Sequence, residues 1–229
     1  MRLKPILFNA EMVRALLEGR KTVTRRVVKP QPPAASTVSK IGKAYGWSRG
    51  KDSQPKYLMK QPYQTGDVLW VRETFRVDYL SSIVGSGRVR YKADGSYADI
   101  HFSADRYDMM RRAHRMVWRS SENMPREAAR IFLRVTGVRV ERLQAITEQD
   151  AKDEGACKVY PDTDPETGKT TYMQDENATY IGGFVCAWDS TIKSADRATC
   201  GWEANPWVWV IEFERVEKPA KNDLDGENP

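Results

Sequence analysis

The chain has 229 residues, enough for one elaborated domain with a sizeable core, and 37 basic against 31 acidic side chains give it a net charge of +6. A mean hydropathy of -0.65 and the lack of any apolar run of about 18 residues exclude a transmembrane helix, while the basic excess (pI about 9.2) favours a polyanionic partner or an anionic small molecule. Three scattered cysteines, Cys157, Cys186 and Cys200, read as reduced thiols of a cytoplasmic protein rather than as a disulfide framework, and Met1 to Asn9 has no signal-peptide anatomy.

Residues 3 to 8 predict a short opening strand. Asn9 is a suitable N-cap for a helix over Ala10 to Glu18, with Met12, Val13, Leu16 and Leu17 on its buried face and Gly19 as its left-handed stop. Thr22 to Val28 carries the β-branched residues of a strand. Residues 29–64, punctuated by Pro30, Pro32, Pro33, Pro55 and Pro62, read as an irregular insertion. A turn at Gly66-Asp67 leads into a buried strand over 68–71, followed by Arg72 and Glu73.

A second insertion spans 76–128, with a hairpin around Asp94-Gly95. It also holds Arg106, Arg111, Arg112, Arg115 and Arg119 interleaved with Tyr107, Met109, Met110, His114 and Trp118. Two readings fit that stretch: an Arg-rich face of a surface helix or lid, or a nucleic-acid contact in which Arg neutralises phosphate and an aromatic ring stacks on a base. Ala129 to Leu143 is the clearest long strand, interrupted at Gly137. Thr147 caps a short helix that ends at Gly155.

The third insertion, 158–178, is acidic and turn-rich. Asp162, Asp164 and Glu166 are spaced like the first ligands of a calcium loop, but Thr167 stands where that loop needs glycine and Met173 where it needs a carboxylate, so no calcium site is expected. Gly183 to Ile192 predicts a helix with Phe184, Ala187, Trp188 and Ile192 on its apolar side. Trp207 to Phe213 is a closing strand, and residues 217–229 form a polar tail expected to be disordered.

The cysteines and histidines show no paired metal-ligand spacing, and neither a Gly-rich phosphate loop nor a Gly-x-Ser-x-Gly elbow is present. No metal or cofactor is expected. The chemistry-bearing residues that remain are Lys21, Thr24, Arg26, Glu73 and Glu154. A desolvated lysine is a base, and a hydroxyl beside a base is a nucleophile. On an ideal strand Lys21 and Thr24 face opposite sides, and they converge only if Lys21 lies in the preceding turn. Thr24 and Arg26 share a face, where Arg26 can hold an anion or a developing oxyanion. The bland alternative for this basic cluster is a solvated turn.

Gly19-x-Lys21-x-x-Thr24-x-Arg26 after a short helix resembles the signature of the ASCH domain, a PUA-like β-barrel family, with Thr24 at the place the family usually gives to Glu. That substitution is similar to one branch, the small bacterial ASCH amidohydrolases that hydrolyse N4-acetylcytidine. Three further pieces resemble the same branch: Gly66-Asp67-Val68-Leu69, Ile146-Thr147-Glu148-x-x-Ala151-x-x-Glu154, and Trp209-Val210-Ile211-Glu212-Phe213. The longer form, with its opening Lys4-Pro5-Ile6-Leu7-Phe8 and Gly19-Arg20-Lys21-Thr22-x-Thr24-Arg25-Arg26, also looks like proteins encoded by tailed phages and prophages.

The resemblance implies an α+β fold: a single PUA-like domain over 1–216, built on a small mixed β-barrel with flanking short helices. It implies a catalytic group of Lys21, Thr24 and Glu154 and an acylated pyrimidine nucleoside as substrate; Glu73, at the end of the strand that Gly66 opens, is a rival carboxylate by its position. Arg26, Glu73 and Trp70 are the expected substrate-binding residues. The alternative is a non-catalytic PUA-like module for RNA or modified DNA bases. In it Trp70 or Trp209 would stack on a flipped base and Arg106, Arg111, Arg112, Arg115 and Arg119 would contact phosphates.

Overall fold

A computed structural model describes residues 3–33, 36–49, 57–81, 85–112, 116–163 and 170–219. In chain order they form β1 (Leu3–Leu7), α1 (Ala10–Leu17), β2 (Val23–Val27), β3 (Ser36–Ile41), β4 (Ala44–Arg49), β5 (Tyr57–Met59) and β6 (Val68–Arg72). There follow β7 (Phe75–Ser81), β8 (Ser86–Tyr91), β9 (Tyr97–His101), α2 (Ala104–Arg112), β10 (Phe132–Arg142), α3 (Glu148–Asp153), β11 (Tyr160–Thr163) and β12 (Thr170–Met173). The chain closes with α4 (Tyr180–Thr191), α5 (Arg197–Cys200) and β13 (Trp207–Val216). The architecture is α+β, mostly sheets with a few short helices. No helix among the described residues is long and apolar enough to cross a membrane. Of the residues singled out in the sequence, Pro55, His114, Arg115, Asp164, Glu166, Thr167 and the tail from 220 onward lie outside the described residues.

The chain divides into two compact units. The first comprises the described parts of Met1–Gly19, Gly66–Val135 and Glu214–Pro229. Here β1 runs parallel to β6 (Leu3↔Val68 to Leu7↔Arg72), and the start of β10 runs antiparallel on the other side of β6 (Leu133↔Leu69). The Asn9 side chain accepts a hydrogen bond from Met12 N at 2.9 Å, and Gly19 takes φ +73°, as a helix stop requires. The buried face of α1 is Val13, Ala15 and Leu16; Met12 and Leu17, expected there, are only half-buried, because the apolar stripe is centred one residue away from them. The expected hairpin is β8–β9, with Gly95 at φ +72° in its turn. Together with β7 it folds over a core of Phe75, Val77, Val89, Tyr91, Ile100, Phe102, Met110 and Met124.

The second unit comprises the described parts of Arg20–Thr65 and Thr136–Phe213. Its ladder order is β10-β13-β2, with β13 and β2 antiparallel in the register Trp209↔Arg26 and Ile211↔Thr24. Val23, Val208 and Val210 on this ladder pack with Leu143, Ala151, Phe184 and Trp188, which seats α3 and α4. Each fully buried valine contributes roughly 1.5–3 kcal/mol of hydrophobic stabilisation. β13 is buried on both faces, with Val208, Trp209, Val210 and Ile211 all enclosed. On α4, Ala187 is exposed rather than core-facing; Phe184 and Trp188, one turn apart, carry the packing. The acidic insertion forms the hairpin strands β11 and β12.

Two expectations are corrected. Residues 29–64 are not irregular throughout: β3, β4 and β5 form an antiparallel sheet, with Val38↔Trp47 and Trp47↔Tyr57 as cross-strand neighbours. Pro30, Pro32, Pro33 and Pro62 stand outside the strands, and Gly42, at φ +57°, opens the two-residue turn between β3 and β4. The second correction concerns the barrel, which does not close among the described residues. β1 pairs only with β6, and the outer flank of β2 meets the end of α3 instead of another strand.

Candidate active site

The candidate site lies at that outer flank of β2. Gly19 ends α1 and turns the chain, so that Lys21 bridges to Glu154 just before β2 begins and Thr22 N donates to Asp153 O at 2.8 Å. Glu154 is the C-cap of α3, a helix fixed at its other end by a capping box between Thr147 and Asp150. The end of α3 leaves unpaired carbonyls and a partial negative charge, and basic groups collect there. Arg20 donates to Gly155 O at 2.9 Å and the Lys21 amine to Glu154 O at 2.9 Å.

Lys21 Nζ is fully enclosed. It donates to Glu154 Oε2 at 2.5 Å and to Val23 O at 2.9 Å, in addition to Glu154 O. Val23 is the non-hydrogen-bonded partner of Glu212 in the β13 ladder, which leaves its carbonyl facing outward to receive that amine. Burial drives the Lys21 amine below the usual lysine range. Glu154 opposes that shift, and Arg26 and Arg25 reinforce it. Arg26 is half-buried; burial lowers its titration, with Tyr63 and Glu154 close enough to pull against it.

Thr24 is 2% exposed and is paired directly with Ile211 across the ladder, on the same face of the sheet. The Lys21 amine donates to Val23 O, Glu154 O and Glu154 Oε2, and Thr24 is not among these acceptors. The structure thus brings Lys21 and Glu154 into contact, with Thr24 and Arg26 on the same strand. Trp70 and Glu73 belong to the first unit, where each has its own partner. Glu73, 1% exposed, forms a two-pronged pair with Arg130 at 2.8 and 2.9 Å, while the Arg72 guanidinium lies 5.5 Å from the Trp70 ring. Of the two rival carboxylates, Glu154 is the one joined to the lysine. Arg106, Arg111 and Arg112 are exposed on α2, and Arg119 is half-buried beyond it.

Sequence reasoning missed the groups that hold Glu154. Arg25 is 3% exposed and reaches Glu154 Oε1 at 3.4 Å and Glu141 Oε1 at 2.6 Å, with Asp150 at 3.6 Å. Arg139 then ties Glu141, Asp150 and Glu212 together. Gly137 makes room for this, since a Cβ there would come 2.5 Å from Glu212 Oε2. Four cations, Lys21, Arg25, Arg26 and Arg139, stand among four carboxylates. The signal was present: Val23, Arg25 and Val27 alternate, so Arg25 sits in the core-facing register and requires buried carboxylates opposite it.

No family model, curated protein or solved structure matches this chain.

Proposed function

We propose that the chain is an amidohydrolase that removes an acyl group from the exocyclic amine of an N4-acylated cytidine or a related modified base, using only protein groups. The observation that carries this reading is the enclosed Lys21 amine, lowered by burial and 2.5 Å from the Glu154 carboxylate, with the buried residue Thr24 three positions further along the chain. Lys21 passes a proton to Glu154 Oε2, and the lone pair that this frees turns toward Thr24. Thr24 Oγ1, losing its proton to Lys21, bonds to the acyl carbon, and Arg26 faces the oxyanion. The C–N bond then breaks as the proton moves from Lys21 to the departing amine. Water adds to the acyl-threonine ester, gives its proton back through Lys21 and Glu154, and releases the carboxylic acid with Thr24 restored. Arg25 keeps Glu154 in place throughout.

The test is hydrolysis of N4-acetylcytidine by the purified protein, followed chromatographically as cytidine release. Thr24→Val and Lys21→Met preserve most of the buried volume, and each should lower turnover by about 10²–10⁴-fold while the protein stays folded. Undiminished turnover in either variant, or none by the native protein across a panel of acylated nucleosides, would remove the proposal.

A further inference from the structure

The first unit contains a groove of about 610 Å³ that the Lys21 chemistry does not use. Its size is within the range of ligand sites, about 300–1,000 Å³. Buried Met110 and Met124 belong to its floor, and Arg72, Arg106, Arg119 and Arg126 come to its walls from four different segments. Trp70, half-buried, lines it as well. Glu122 and Glu127 also line it, so the arginines exceed the carboxylates by two.

The arrangement is partly pre-organised. Arg72 Nε donates to Ser121 O at 3.0 Å, which holds its guanidinium 5.5 Å from the Trp70 ring centroid. Arg119 exchanges backbone hydrogen bonds with Phe75 at 2.7 and 3.3 Å, which pins its segment to β7. Arg106, on α2, and Arg126, just after Pro125, are exposed.

We infer that this groove binds a short stretch of single-stranded nucleic acid, with phosphates on Arg106, Arg119 and Arg126 and a base against Trp70 beside Arg72. A concave site with an apolar floor, an indole and a guanidinium rim accepts an unstacked base and its backbone together, whereas duplex recognition inserts protein elements into the nucleic-acid grooves. The Asn123 amide on the groove lining offers both a donor and an acceptor to a base edge.

The experiment is fluorescence anisotropy of short labelled single-stranded RNA and DNA oligonucleotides across a salt series, with duplex and heparin as competitors. The native protein should bind the single strands and be displaced poorly by duplex and heparin. The double variant Arg106→Glu/Arg126→Glu should bind at least about tenfold more weakly, and its slope of log affinity against log salt should shrink by about two. Its melting curve should match the native one, because both side chains are exposed. Lys21→Met should bind as the native protein does, and the double variant should turn over free nucleoside as the native protein does, which separates this proposal from the catalytic one. Unchanged affinity in the double variant, or no binding by the native protein near physiological salt, would overturn it. Equal displacement by duplex or heparin would also overturn it, and would mark a surface for any polyanion.

Discussion

At the scale of single residues, the site is governed by one enclosed amine and the charges around it. If the neutral form of Lys21 is the base, kcat/KM should rise with pH to a plateau, with a midpoint below the ordinary lysine value of about 10.4, since burial is the largest influence on that amine. Glu154 raises the same group, so in Glu154→Gln the ¹³Cε resonance of Lys21 should titrate at lower pH than in the native protein. The linkage has a definite sign. A lysine lowered by folding loses its proton first in the native state, so stability should climb as pH rises from the native midpoint toward the ordinary value, and Lys21→Met should flatten that climb. In the first unit, Arg130→Ala would leave the 1%-exposed Glu73 without its cation, at a cost of about 3–5 kcal/mol in urea unfolding. Burial already raises Glu73, so that loss should deepen as pH rises above the ordinary carboxyl range. Lys21 and Thr24 were legible as a local pattern, whereas Glu154, far along the chain, was legible as their partner only through the resemblance. Arg25, Glu141 and Arg139 were not, because charged residues on strands usually mark the wet face, and only the alternation of Arg25 with Val23 and Val27 argued otherwise.

At the scale of elements, α3 deserves the closest experimental scrutiny, since six residues carry both the capping box and the approach to Glu154. Its Glu148 carboxylate also accepts from Tyr180 N at 2.9 Å and Ile181 N at 3.2 Å, which sets the start of α4. Thr147→Ala should therefore cost about 1 kcal/mol and lower the melting temperature, with a larger fractional effect on turnover than on stability if Glu154 is displaced. Gly183 faces a different constraint. A Cβ there would lie 1.8 Å from Cys157 O, a backbone atom that cannot swing aside. Gly183→Ala should destabilise by about 1–3 kcal/mol, measured by denaturant unfolding. The short helices were readable because their caps are local: Asn9, Gly19, Thr147 and Gly155 all do what their side chains or conformational freedom allow. The β3–β5 sheet was obscured by the prolines of 29–64, of which Pro30, Pro32, Pro33 and Pro62 lie outside the strands themselves.

At the scale of the whole molecule, the balance of α and β was legible from periodicity, whereas a closed barrel rested on resemblance and does not form among the described residues. Pairing between distant strands depends on long-range contacts such as Lys21 with Glu154, which no local pattern encodes. The three cysteines are free, with Cys157 exposed and Cys186 and Cys200 half-buried. A thiol-specific reagent should titrate three groups after unfolding and one quickly in the native protein, and reductant should leave the melting temperature unchanged. The sealed environment of Lys21 has a kinetic consequence. Its side chain offers no surface to solvent, so a small amine-acylating reagent can mark it only during transient opening of the surrounding packing. Under saturating reagent, the labelling rate of that one lysine counts how often the pocket breathes, and any turnover that must draw on the same fluctuation can run no faster than that clock.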